Sequence, residues 1–110
     1  MKGLGNLVKE AQKLQAELEA LKEEAGKRKV QASAGGGMVT VEVNGNQEVL
    51  SIKIDREVIT PDDPQMLEDL VLAAVNEALR KAREMVAAEM AKVAGKLGGL
   101  GALGGKLPGL

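Results

Sequence analysis

The apolar residues of this chain change their spacing twice, from helical to alternating and back to helical, which rules out an all-helical or an all-strand fold. Across residues 3–26, Leu4, Leu7, Ala11, Leu14, Leu18, Leu21 and Ala25 recur at alternating steps of three and four, the a/d pattern of helices that pair. Lys2, Lys9, Glu10, Lys13, Glu17, Glu19, Lys22, Glu23 and Glu24 fill the other faces, and Gly26 supplies a C-terminal stop. At 1.5 Å per residue this helix is roughly 36 Å long, and so narrow a stripe calls for a helical partner.

The period then becomes two. Val30, Ala32 and Ala34 alternate with Lys29, Gln31 and Ser33; Val39, Val41 and Val43 alternate with Thr40 and Glu42; Leu50, Ile52 and Ile54 alternate with Val49, Ser51 and Lys53. Glycine-rich breaks separate the three runs, so they read as an antiparallel meander with one buried face. A two-residue turn at Gly35-Gly36 sets Ala32 opposite Val39 and Val30 opposite Val41. A two-residue turn at Gly45-Asn46 sets Val41 opposite Leu50 and Val39 opposite Ile52. Both registers keep the apolar set on one face.

Asp55–Asp63 is a connector containing Pro61. Asp63 suits an N-cap, Pro64 the first helical position, and Glu68 and Asp69 the positive helix end. The spacing of Leu67, Leu70, Val71, Ala74, Val75, Ala78, Ala82, Met85 and Val86 predicts a second helix from about Pro64 to Ala94. Its length, roughly 45 Å, exceeds what three strands can cover, so the part beyond about Ala82 must overhang. Antiparallel pairing with the first helix would cover both stripes. Residues 95–110 hold seven glycines and Pro108 and read as a flexible tail. Within it Leu97, Leu100, Leu103, Leu107 and Leu110 keep a helical spacing that could dock on a partner. The chain is thus one domain, residues 1–94, followed by the tail at 95–110.

The core of such a domain is undersized. Among 110 residues there is no Phe, Tyr or Trp, so Leu, Val, Ile, Ala and Met must supply all the buried surface. Sharing a core with a second copy is the direct remedy. Cysteine and histidine are also absent, which removes disulfides, thiolate chemistry and the commonest general base and metal ligand. The acids have structural explanations as caps and solvent faces, and the Gly35–Gly37 run lacks the Lys-Ser/Thr that a phosphate loop requires. No enzymatic activity, cofactor, metal or small-molecule substrate is expected. Without a leader or an apolar span, a cytoplasmic location is expected.

The net charge of −1 gives no global pull toward an anion, so anion binding must come from local clusters. Lys27-Arg28-Lys29 sits where the first helix meets the sheet, and Arg80, Lys81 and Arg83 lie midway along the second helix. Antiparallel helices would gather Lys2, Lys9, Lys13, Lys92 and Lys96 at one projecting end. With no aromatic to stack on an unpaired base, nucleic-acid contact would be to the phosphate backbone, preferably of duplex DNA. Lys2, Lys9, Lys13, Arg80, Arg83, Lys92 and Lys96 are the candidate contacts. The competing explanation is that Lys and Glu merely solubilise a helix pair.

The opening Met1-Lys2-Gly3-Leu4-Gly5-Asn6-Leu7, the Gly-rich turn before Met38-Val39-Thr40-Val41, Val43-Asn44-Gly45 and Ile52-Lys53-Ile54-Asp55 form an ordered set of motifs. Met66-Leu67-Glu68-Asp69-Leu70-Val71 followed by Ala73-Ala74-Val75-Asn76 completes it, and the Gly/Leu/Pro tail follows. Over essentially its whole length the chain resembles the YbaB/EbfC family of bacterial nucleoid-associated proteins. The resemblance implies an α+β, α-β-β-β-α fold, with a three-stranded antiparallel meander and two long flanking helices. It also implies an intertwined, tweezer-like homodimer that binds double-stranded DNA with little sequence preference and shapes the nucleoid. No short base-reading motif of the family transfers position by position, so the candidate contacts rest on charge placement. Glu17, Glu19, Glu23 and Glu24 near the end of the first helix point to weak, salt-sensitive association. The alternative is a protein-interaction module resembling the prefoldin chaperones, for which a first helix of roughly 36 Å is a short arm.

Overall fold

Both changes of period coincide with changes of element. The structure, a computed structural model, describes the backbone of residues 2–104 and the side chains of residues 3–95. Helix α1 spans Lys2–Lys27, strands β1, β2 and β3 span Lys29–Ala34, Val39–Asn44 and Val49–Ile54, a 3-10 turn covers Arg56–Val58, and helix α2 spans Pro64–Gly104. The sheet is an antiparallel meander in the order β1-β2-β3. Helix α2 lies across β1 and β2 and continues beyond the sheet beside α1. Asp63 caps α2 as its position suggests: its Oδ1 accepts the Met66 N–H at 3.1 Å.

The registers differ from the two-residue turns read in the sequence. Ala32 stands opposite Val41, Val30 opposite Val43 and Ala34 opposite Val39, so a four-residue loop, Gly35–Met38, joins the first pair. Gly35, Gly36 and Gly37 all take positive φ (65°, 68° and 94°), and three successive left-handed residues are more than a two-residue turn can hold. In the second hairpin Val41 stands opposite Ile52 and Val39 opposite Ile54. There the Asn44 side chain organises the loop, its Oδ1 accepting the N–H groups of both Asn46 and Glu48 at 3.0 Å. Gln47, not a glycine, takes the positive φ (63°), and a bulge leaves Leu50 without a partner. Each shift is by two residues, which preserves the side-chain faces and hides the error from any argument based on alternation.

The core sits between α2 and the first two strands. It consists of Ala32, Val39, Val41, Val43, Val58, Ala74, Ala78 and Ala82, and the largest fully buried side chains are the three valines of β2. The meander's inner face is therefore buried at β1 and β2 and open at β3. Ile52 is 45% exposed and Leu50 44%, because α2 barely reaches their strand.

Helix α1 ends one residue after Gly26, which is buried within its last turn. A Cβ at Gly45 would overlap the carbonyl oxygen of Ala25, so the β2–β3 loop and the end of α1 meet backbone to backbone. The Gly45 N–H donates to the Arg28 carbonyl at 3.0 Å there. Leu14, Leu18 and Leu21 of the heptad seam are half-buried and Ala25 is buried, whereas Leu4, Leu7 and Val8 are exposed. On α2, Val93 is buried well past the sheet-covering residues. A Cα radius of gyration of 21.1 Å, against about 13 Å for a compact chain of this length, measures how far the helices project.

Helix α2 runs to Gly104, ten residues beyond its expected end at Ala94. Once nucleated, a helix adds residues singly, and the leucines, alanine and lysine between the tail glycines are good formers. The side chains of the Leu97–Leu110 stripe lie outside the described residues.

Candidate nucleic-acid interface

Among the described residues the cations divide into those neutralised by a nearby carboxylate and those left free. Arg80, on the face of α2 opposite the core, donates from Nε to Glu77 Oε2 at 3.0 Å, from Nη2 to Glu77 Oε1, and from Nη1 to Glu84 Oε1 at 2.5 Å. The three residues sit at i, i+3 and i+7, the spacing that stacks side chains on one helix face. The hydrogen bond and charge of Arg80, with Lys81 nearby, hold the Glu77 carboxyl below the usual carboxylate range, and Arg80 is raised in turn. With its folded pKa lowered, Glu77 contributes a small stabilisation at neutral pH, which is lost progressively as pH falls from the ordinary carboxylate range through the lowered value.

A second cluster joins elements distant in sequence. Arg28, between α1 and β1, donates from Nη1 to Glu89 Oε1 of α2 at 2.5 Å, and Lys92 approaches the same oxygen at 3.5 Å. Glu89 is only 9% exposed, the one buried charged residue among those described. Burying a carboxylate is unfavourable unless it is paired, so Arg28 and Glu89 fasten the base of α1 to α2. Nothing local in the sequence announces this pair, whose members are 61 positions apart.

Of the candidate contacts, Lys9, Lys13 and Arg83 are exposed and make no ion pair among the described residues. Arg80 and Lys92 are engaged by glutamates. The side chains of Lys2 and Lys96 lie outside the described residues. The expected gathering of Lys92 with Lys9 and Lys13 does not occur. Lys92 reaches Glu89, which Arg28 also holds, so it sits at the base of α1, whereas Lys9 lies roughly 28 Å further along that helix. Lys81, beside Arg80, donates from Nζ to the Gln31 carbonyl at 3.2 Å and so occupies a free backbone acceptor of edge strand β1. Lys27 pairs with Glu23 at 3.8 Å, which leaves Lys29 as the free cation of its triplet among the described residues.

A groove of about 440 Å³ runs along the other flank of α2, lined by Ile54, Leu67, Glu68, Val71, Leu72 and Val75. It continues the open inner face of β3, and Leu72 on its rim is 60% exposed. Among the described residues no helix is long and apolar enough to cross a membrane, and no group of three or more acids could hold a metal ion.

Comparison with known proteins places this architecture. The YbaB/EbfC DNA-binding family matches residues 1–97. A nucleoid-associated protein of Acetivibrio thermocellus is 56% identical over 97 residues, covering 88% of this chain and 86% of that protein. One of Syntrophobacter fumaroxidans is 52% identical over 105 residues, covering 96% and 93%. The crystal structure of the uncharacterized protein HP0035 from Helicobacter pylori superposes with a TM-score of 0.61 at 26% identity, covering 74% of this chain and 82% of that one. The family match spans residues 1–97 and the structural match 74% of the chain, and the chain belongs to the YbaB/EbfC DNA-binding family.

Proposed function

We propose that this protein is a nucleoid-associated homodimer that binds duplex DNA through backbone phosphates with little sequence preference, organising the nucleoid and influencing expression. The observation that carries the reading is that three of the candidate contacts, Lys9 and Lys13 on α1 and Arg83 on α2, are exposed cations without an ion pair among the described residues, on a family member without an aromatic side chain. Such a surface can meet phosphates but has nothing to stack on bases. The relatives' names, nucleoid-associated protein, support the same assignment and a nucleoid location. The reading contains no catalytic step. Residues 95–110 stand in it as a tail beyond the DNA-binding domain.

The second copy belongs to the reading because the single chain leaves apolar surface uncovered. Leu50, Ile52 and Leu72 are exposed beside the groove, and Val75, Leu79, Val86 and Met90 continue a half-buried stripe down the same flank of α2. A second copy laid on this flank would complete the core of both and set the projecting helices as the arms of a tweezer.

The binding surface is tested by comparing the parent with a K9Q/K13Q/R83Q variant on two unrelated duplexes over a range of salt. Each lost phosphate contact removes about 0.9 from the slope of log K against log salt. The variant is expected to bind both duplexes more weakly, with a slope shallower by roughly 2–3 for each protomer that contacts the duplex. An unchanged slope would remove these residues from the interface.

A further inference from the structure

The Arg80-Lys81-Arg83 cluster appears in the sequence as three cations in four positions, yet only one is free to meet an anion. Lys81 is turned to the β1 edge, and Arg80 has Nε, Nη1 and Nη2 all engaged by Glu77 and Glu84. Fold stability does not explain two carboxylates on one arginine. The group is on the helix face opposite the core, its side chains are 49%, 39% and 64% exposed for Arg80, Glu77 and Glu84, and exposed ion pairs contribute little. Its electrostatic consequence is larger. Glu77 grips the guanidinium by two parallel bonds, the same fork a phosphate would occupy. With two carboxylates on one guanidinium, Arg80 itself offers no net positive charge to an approaching backbone.

We propose that Glu77 and Glu84 act as built-in competitors of DNA phosphate for Arg80, and that they hold the affinity of this protein for DNA below what its cations would otherwise give. The inference rests on the duplex-binding reading above. Weak, exchangeable attachment follows from it: a phosphate gains Arg80 only by displacing carboxylates that remain nearby and repel it. Arg28 differs, since its partner Glu89 is buried and belongs to the packing of α1 on α2.

The test is fluorescence anisotropy of a labelled 30-base-pair duplex with the full chain, its E77Q/E84Q variant and an E57Q/D62N control of equal charge change. Glu57 and Asp62 are exposed, make no ion pair among the described residues, and precede α2, with Asp62 roughly 27 Å along the chain direction from Arg80. Freeing one phosphate contact raises affinity about tenfold at 50 mM salt and steepens the salt slope by about 0.9. E77Q/E84Q is expected to show both, and the control less than about a twofold gain with an unchanged slope. A gain in E77Q/E84Q no greater than in the control, or a slope equal to the parent's, would overturn the inference while leaving duplex binding intact. Absence of binding by all three proteins at low salt would overturn the duplex-binding reading and this inference with it.

Discussion

If the parent is the proposed homodimer, replacing both Ile52 and Leu72 by Glu is expected to give a protein that sediments as a monomer at concentrations where the parent sediments as a dimer, with a thermal midpoint lower by at least about 8 °C. The size of this effect follows from how little a single chain buries. Among the described residues its fully buried side chains are alanines and valines, while Ile52 on β3 and Leu72 at the α2–β3 groove stand 45% and 60% exposed. Covered by a second copy, each residue would be desolvated, and a carboxylate placed there would enter a nonpolar interface without a partner. Circular dichroism melting and sedimentation velocity read the two consequences separately. A double variant that remains dimeric with an unchanged midpoint would show that this flank is solvent-facing and that the core is completed elsewhere.

The second large effect is local. Gly45→Ala is expected to destabilise the fold by about 3 kcal/mol, a substantial part of the stability of a small domain. The added methyl would overlap the Ala25 carbonyl, a backbone atom that cannot rotate aside, and would separate the β2–β3 loop from the end of α1. The hydrogen bond from the Gly45 N–H to Arg28 crosses the same junction. Gly5→Ala is the natural contrast: nothing lies within 4 Å of a Cβ there, and alanine favours the helix by up to about 1 kcal/mol. Urea unfolding of the two variants should move in opposite directions. A G45A protein as stable as the parent would mean that the arm is not seated on the hairpin loop.

The elements were legible because their signals are periodic and local. The heptad leucines, the valines of β2 and the Asp63-Pro64 start of α2 each act through neighbours in sequence, and each element forms where its signal lies. Hairpin register was less accessible. Alternation is blind to a shift of two residues, and neither the third left-handed glycine nor the Asn44 loop announces its length by pattern. The open face of β3 depends on where α2 crosses the sheet, which its own periodicity does not encode. Charge showed the same division. Arg80 with Glu77 and Glu84 can be read from helical spacing, but the Arg28–Glu89 contact joins two elements only after folding. It also draws Lys92 to the base of α1.

Phosphate-directed binding to duplex DNA can be measured by anisotropy of a labelled 30-base-pair duplex of arbitrary sequence titrated with the parent protein at increasing salt. Measurable binding is expected at low salt, the same for an unrelated duplex, with log K falling linearly in log salt and affinity largely lost by about 200 mM. No binding even at low salt would contradict it. In that case Lys9, Lys13 and Arg83 would serve only to keep the projecting helices in solution.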